Sequence, residues 1–458
     1  MTTAAPVNAL VIFGATGDLA KLETFPALVG MVERGALEVP VIGVAKSGWQ
    51  LEQFKDYAAD SLRNNGMDPD AEPSKRMLEL LRYVDGDLGD DATYQSVAAK
   101  LPQRSRNLFY LEVPPALFAT IAQGISKAGL AGDARVMVEK PFGTDLRSAR
   151  QLNETMHEIF PEDSIYRVDH WLGLDATENV LFARFANTML EPLLNRTYVD
   201  SIQITMGEAF DVADRGRFYD NTGAIRDVIQ NHMLQVLAAV MMEPPVGGLD
   251  TMRDARASVI RSLRPLTPDT VVRGQYNGYR DVPGVESGST TETFAAVRLA
   301  ADTWRWEGVP ILIRAGKTLP VTATDVTVRL RRPPRNVFGV QPFRSQNSLR
   351  FRIWPEAAIG VELAGKKPGA GLEPQADELV FEQPPGADMR PYDRLIGAAL
   401  NGERWLFARQ DTVEAAWRVV DPVLGDVVPV RPYERATWGP VAANQLLPEG
   451  ESWYDPRA

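Results

Sequence analysis

Two of the three histidines in this 458-residue chain sit in acid-flanked stretches. His170 follows Asp169 in Arg167-Val-Asp-His-Trp-Leu-Gly173, and His232 closes Arg226-Asp-Val-Ile-Gln-Asn-His232, which carries Asp227. Histidine is the side chain whose ordinary titration lies nearest neutrality. A neighbouring carboxylate that fixes its tautomer and stabilises its cation makes it a proton acceptor. Both histidines are therefore candidates for general acid–base chemistry, against the alternative that they are hydrogen-bonded structural residues.

A chain of this length suits two large domains. Apolar residues make up 45% and charged residues 24%, as in ordinary globular proteins. The net charge of −11 argues against a general nucleic-acid surface but leaves room for a local basic pocket that takes an anionic substrate. Cysteine is absent, which rules out disulfides and thiolate metal sites. No stretch approaches a membrane span, and the amino terminus lacks the basic-then-apolar pattern of a secretion signal, so a cytoplasmic location is expected.

The elements that must position this chemistry begin with an apolar strand at Ala9–Phe13, a turn Gly14-Ala-Thr-Gly-Asp-Leu-Ala20, and helical periodicity from Leu22 to about Arg34. Strand, glycine turn and helix form the geometry in which backbone N–H groups at a helix start receive a pyrophosphate. Gly14, Thr16, Gly17, Asp18 and Leu19 are the candidate cofactor residues there. A second strand over Val39–Ala45 ends at Lys46-Ser47, where a cation accommodates a 2′-phosphate and an acid would hold a free 2′-hydroxyl. Lys46 therefore favours NADP, with NAD also open. Strands over Asn107–Val113 and Arg135–Val138 run into Pro114-Pro115 and Glu139-Lys-Pro-Phe-Gly143, which puts Pro115 and Lys140 at the ligand edge of a parallel sheet. Lys140-Pro141 is a candidate cis peptide, against the usual preference for trans.

From Ser148 onward the pattern changes to helices over Ala149–Phe160 and Asp175–Leu194. Alternating strands follow at Ser201–Met206, Thr291–Leu299, Pro310–Arg314, Val326–Leu330 and Ser348–Ile353. The expectation is α/β plus α+β: a Rossmann-like dinucleotide-binding domain over 1–147, then a larger α+β domain over 148–458 with a mainly antiparallel sheet. Gly365–Pro374 reads as a loop.

Taken together, Gly14-Ala-Thr-Gly-Asp-Leu-Ala-Lys21, Glu139-Lys-Pro-Phe-Gly143, Arg167–Gly173, Arg184-Phe-Ala-Asn187, Arg226–His232, Trp304-Arg-Trp306, Arg314-Ala-Gly-Lys317 and Trp438-Gly-Pro440 resemble the glucose-6-phosphate dehydrogenase family from Val11 to Pro440. The resemblance implies that His232 is the base acting on the anomeric hydroxyl, with Asp169 orienting it. It implies that Lys140 lies between cofactor and sugar, that Asp227 and Glu208 bind sugar hydroxyls, that Lys317 supports the sugar or its phosphate, and that His170 contacts the 6-phosphate. It also implies a homodimer or homotetramer joined through the large sheet. No metal is called for, because a base and a hydride acceptor together complete the reaction.

One segment departs from the family pattern Asp-His-Tyr-Leu-Gly-Lys-Glu. Here it reads Asp169-His170-Trp171-Leu172-Gly173-Leu174-Asp175, so Trp171 and Leu174 replace the tyrosine and lysine expected at the phosphate. Leucine donates nothing, and indole offers one N–H. Three readings follow: glucose 6-phosphate with another cation completing the site, the same chemistry on an unphosphorylated or differently substituted aldose walled by Trp171 and Leu174, or local drift that changes little; a separate alternative is a noncatalytic nucleotide-binding regulatory relative.

Overall fold

The computed structural model describes residues 7–103, 105–335, 337–338, 346–382 and 389–457. Two compact units divide the chain. The first takes Met1–Gly173, Val246–Arg253 and Met389–Glu414; the second takes Leu174–Pro245, Asp254–Asp388 and Ala415–Ala458.

The first unit is built on six parallel strands: β1 (Ala9–Phe13), β2 (Val41–Ala45), β3 (Leu81–Asp85), β4 (Asn107–Leu111), β5 (Arg135–Val138) and β6 (Ile165–Arg167), in the order β3-β2-β1-β4-β5-β6. Strand apolarity follows from burial on both faces, and the two-residue period sorts the side chains. Leu10, Ile12, Leu108, Tyr110 and Met137 enter one core, which is covered by Phe25, Phe54, Met77 and Leu395. Ala9, Val11, Phe13, Phe109, Leu111, Val136 and Val138 enter the other, against Tyr94, Phe118, Ile121 and Met156.

Expected strands one, two, four and five are present, with small changes at their ends. Two others escaped the sequence pattern. β3 alternates buried and exposed residues and carries Arg82 and Asp85, while β6 spans only three residues. The expected boundary at 147/148 falls within the helix Leu146–His157, whereas the first unit runs on to Gly173 and takes in Met389–Glu414. That late segment brings the helix Pro391–Asn401, whose carbonyls of Ala399 and Leu400 accept from the buried Arg135 guanidinium at 2.8 and 2.6 Å. The Lys140–Pro141 peptide is cis.

Among its described residues the second unit contains nine strands: β7 (Val199–Gly207), β8 (Val271–Tyr276), β9 (Phe294–Leu299), β10 (Ile311–Gly316), β11 (Ala323–Leu330), β12 (Ser348–Trp354), β13 (Ala358–Lys366), β14 (Pro374–Glu382) and β15 (Val430–Tyr433). Their order is β14-β13-β12-β11-β7-β10-β9-β8-β15. The sheet is mainly antiparallel, with parallel pairing at β7/β10 and β8/β15. Gly365–Pro374 forms the end of the β13–β14 hairpin. The expected helix over Asp175–Leu194 stops at Phe185, where the Asn187 side chain donates back to the carbonyl of Ala183 at 3.1 Å. Among the described residues no helix is long and apolar enough to cross a membrane.

Candidate active site

In the first unit the glycine turn connects β1 directly to a helical run. Gly14 has φ +86°, and a Cβ there would lie 2.3 Å from the carbonyl oxygen of Glu112, so glycine is required. The Gly14 N–H donates to Val44 O at 2.9 Å and the Gly17 N–H to Gly14 O at 2.9 Å, which closes the turn. The Tyr57 hydroxyl donates to the carbonyls of Thr16 at 3.0 Å and Gly17 at 3.3 Å. Gly17 and Asp18 are exposed, and Leu19 is half-buried as the chain becomes helical. This leaves free backbone N–H groups and the positive end of a helix open to an anion. The turn fits a pyrophosphate.

At the end of β2 the Lys46 ammonium is exposed and pairs with Asp87 at 2.7 Å. The pairing raises Lys46 and lowers Asp87 relative to their ordinary ranges. The adjacent Ser47 and Gly48 N–H groups donate to Asp85 Oδ1 at 3.0 and 2.7 Å. Burial works against the charge on Asp85, but these N–H groups and the Tyr83 hydroxyl hold its carboxyl below the usual range. The Ser47 and Thr16 hydroxyls, 3.0 Å apart, tie the end of β2 to the glycine turn.

Pro115 opens a single 3₁₀ turn beyond β4, and Lys140 follows β5, so both stand at the carboxyl edge of the sheet together with the glycine turn. Beyond β6, Asp169 is buried and its Oδ1 accepts the N–H of Trp171 at 3.1 Å. The carboxylate thereby caps the short 3₁₀ turn His170–Gly173. The His170 ring is half-buried and nearly parallel to Tyr392, with centroids 6.4 Å apart. Trp171 is buried at 6% exposure within the same turn.

In the second unit a π-helical segment, Ile225–Met233, carries both Asp227 and His232. An α-helix turning about 100° per residue would set residues five apart on widely different faces. The wider winding of a π-helix reduces that separation. His232 is buried and Asp227 half-buried. The start of the segment is anchored by Glu292, whose Oε1 accepts the Ile225 N–H at 3.1 Å and whose Oε2 accepts Arg273 Nη2 at 2.8 Å. Both partners are nearly fully buried, and Arg273 is further held by the carbonyls of Val428 and Thr290. Gly223 has φ +73°, and a Cβ there would lie 2.5 Å from Glu292 Oε1.

Lys317 and Glu208 form an ion pair at 2.5 Å, set where β10 and β7 both end. The Lys317 carbonyl accepts from the Tyr433 hydroxyl at 2.7 Å, and its ammonium lies over the Phe210 and Tyr219 rings at 4.9 and 5.5 Å. Burial pushes the Tyr219 hydroxyl well above its ordinary range, and the charges of Asp227 and Glu208 push it further, which places all three groups in one electrostatic neighbourhood. Leu174 lies at the amino end of the helix Asp175–Phe185.

The candidate residues thus form two sets. Gly14, Thr16, Gly17, Asp18, Leu19, Lys46, Pro115, Lys140, Asp169, His170 and Trp171 belong to the first unit; Leu174, Glu208, Asp227, His232 and Lys317 belong to the second. Sequence reasoning missed Tyr219, Phe210 and Tyr433 around Lys317, and the clamp of Arg273 on Glu292. Phe210 lies in a loop, Tyr219 on the short helix Gly216–Asp220 and Tyr433 at the end of β15, so no shared period marks them; Arg273 stands on β8, and Glu292 precedes β9.

Family models for the glucose-6-phosphate dehydrogenase NAD-binding and C-terminal domains match residues 11–179 and 181–454. A glucose-6-phosphate 1-dehydrogenase of Mycobacterium bovis is 44% identical over 98% of this chain and 96% of its own length. The enzyme of Aggregatibacter actinomycetemcomitans is 38% identical over 98% and 97%. The crystal structure of the Mycobacterium avium enzyme superimposes with a TM-score of 0.93 at 45% identity, covering 99% of this chain and all of that one. A glucose-6-phosphate dehydrogenase in complex with its substrate glucose 6-phosphate superimposes at 0.90 with 33% identity, with the same coverage.

Glu292→Gln breaks a buried ion pair and leaves Arg273 with only the exposed Asp426 carboxylate at 4.0 Å, a loss of about 3–5 kcal/mol. Chemical denaturation of the variant should show that loss; a change below about 1 kcal/mol, the level of an exposed pair, would remove Glu292 as the anchor of the π-helical segment.

Proposed function

The chain belongs to the glucose-6-phosphate dehydrogenase family, and we propose that it oxidises the anomeric hydroxyl of glucose 6-phosphate to 6-phosphogluconolactone, using NADP, at the entry to the pentose phosphate pathway. The observation that supports this reading is the π-helical segment, which carries both Asp227 and His232 in the unit that also holds the Glu208–Lys317 pair.

In this reading the first unit holds the dinucleotide through the Gly14–Leu19 turn, Lys46, Pro115 and Lys140, and the bound dinucleotide supplies the acceptor for the hydride. His232 takes the proton from the anomeric oxygen as the C1–H bond breaks, and Asp169 stabilises the imidazolium that results. Asp227 and Glu208 accept hydrogen bonds from sugar hydroxyls. Lys317, held by Tyr433 and Glu208, supplies a fixed positive charge to the sugar or its phosphate. His170 contacts the 6-phosphate, and Leu174 adds no donor there. The relatives named as glucose-6-phosphate dehydrogenases support glucose 6-phosphate over an unphosphorylated sugar.

The same reading takes the chain as a homodimer or homotetramer joined through the large sheet. Apolar side chains exposed on its outer hairpin, Leu363, Leu379, Val380 and Phe381, support that surface. A cytoplasmic location agrees with the plant relatives named as cytoplasmic.

His232→Asn tests the reaction. Turnover of glucose 6-phosphate should fall by about 10²–10⁴-fold, with NADP affinity by calorimetry unchanged; a variant that keeps a third of wild-type kcat excludes His232 as the base. For the cofactor, Lys46→Ala should raise the KM for NADP well above any effect on NAD, and equal effects would mean that Lys46 does not meet the 2′-phosphate. Leu174→Lys should lower the KM for glucose 6-phosphate about tenfold, the yield of one charged hydrogen bond of about 1.5–3 kcal/mol. An unchanged kcat/KM would show that other donors already saturate the phosphate.

A further inference from the structure

Glu112 carries a buried titratable group that the proposed mechanism leaves unused. It directly follows β4, and its N–H donates to Phe13 O at 2.9 Å. Its own carbonyl oxygen is the atom that forbids a side chain at Gly14. Its carboxyl turns inward: Thr24 Oγ1 donates to Oε1 at 2.6 Å, while Oε2 is shielded from solvent with no hydrogen-bond partner among the described residues. Thr24 stands on the helical run that starts at the glycine turn. The carboxyl is therefore bonded to the element whose amino end is offered to the pyrophosphate.

Around it the charge is one-sided. Tyr110 on β4, Tyr57 on the helix Leu51–Asn64 and Tyr392 on the helix Pro391–Asn401 are each coupled to Glu112. Glu139, at the end of β5, is coupled to it as a second buried acid. On the helical run, Asp18 acts on Tyr57 and Glu23 on Tyr392. Of the nearby cations, Lys21 lies over the Tyr57 ring at 5.9 Å, Lys140 acts on Glu139 and Arg390 acts on Glu23. Burial pushes Glu112 up to about 8, against the Thr24 hydrogen bond and with help from Glu139. Burial likewise pushes Glu139 up to about 7, although the Tyr110 hydroxyl donates to it at 2.6 Å.

We propose that Glu112 is a positioning residue for the dinucleotide: its neutral carboxyl permits the anionic pyrophosphate at the Gly14–Gly17 turn, its ionisation opposes it, and nucleotide binding takes up a proton. The proposal rests on the dinucleotide reading of that turn. The sign follows from which form is charged. Below its titration Glu112 is neutral and binding is at full strength; as pH rises through it, a negative charge appears behind the phosphates and affinity falls. By reciprocity, bound phosphate raises the proton affinity of Glu112.

Calorimetric titration of the full-length protein with NADP from pH 6.5 to 9, in two buffers of different ionisation enthalpy, reads both quantities. Wild-type Kd should rise by up to about tenfold between pH 7 and 9, the limit for a group titrating near 8 whose charged form does not bind, with proton uptake on binding. Glu112→Gln, which preserves shape and neutrality, should give a Kd independent of pH above 7 and no uptake from this group. Glu112→Ala should do the same, which separates the charge from the packing of the glutamine. A pH-independent wild-type Kd, or variants that keep the wild-type pH dependence, would overturn the role of Glu112 and leave the dinucleotide reading intact. Wild-type protein that binds no NADP at any of these pH values would overturn that reading, and this inference with it.

Discussion

Glu292 and Arg273 are buried to within a few per cent in the second unit, and the site chemistry there depends on their pairing. Each ion loses its hydration, a cost that only close geometry and complete hydrogen bonding offset. Arg273 meets this by spending its guanidinium on Glu292 and on the carbonyls of Val428 and Thr290. Glu292 uses its other oxygen to satisfy the Ile225 N–H at the entrance of the π-helical segment. The pair thus fixes where that segment begins, and hence the direction in which Asp227 and His232 leave it. A glycine at 223 is part of the same arrangement, because a side chain there would collide with the carboxylate.

The π-helical winding is the second constraint. With a spacing of five residues, Asp227 and His232 would fall on different faces of an α-helix, and the wider winding of a π-helix reduces that separation. The same segment continues into the wholly buried helix Leu234–Met241, so packing holds the irregular winding from its far end while Glu292 holds it from the near end. Lys317 is fixed in a comparable way, by the register that ends β7 and β10 together and by the Tyr433 hydroxyl on its carbonyl.

The first unit solves a different problem with backbone groups. The glycine turn presents N–H groups that a helix start leaves unused, and the side chains around it shape the turn. Gly14 permits the close approach to Glu112, Tyr57 pins two carbonyls, and Thr16 joins the end of β2. The polar side chain that departs from this plan is Glu112 itself, a buried acid bonded to Thr24 on the helical run that follows the turn.

Much of this was legible in the chain. β1 and β5 appear within the limits the apolar runs indicate, because a strand buried on both faces must be apolar throughout. The glycine turn was legible because the chemistry sits in consecutive residues. β3 was not, since one of its faces is half exposed and its pattern resembles an ordinary polar segment. The return of Met389–Glu414 to the first core was not legible either, because no local pattern records which distant helix will cover a buried Arg135. In the candidate site the sequence determined which residue types are available: the acid-flanked histidines, the lysines at strand ends, and Leu174 in place of a donor. Tertiary structure alone decided that Trp171 is buried, that Glu208 pairs with Lys317, that Asp87 holds Lys46, and that Asp227 and His232 stand on a π-helical segment. These depend on strand register and on helical winding, and both are set by packing between segments far apart in the chain.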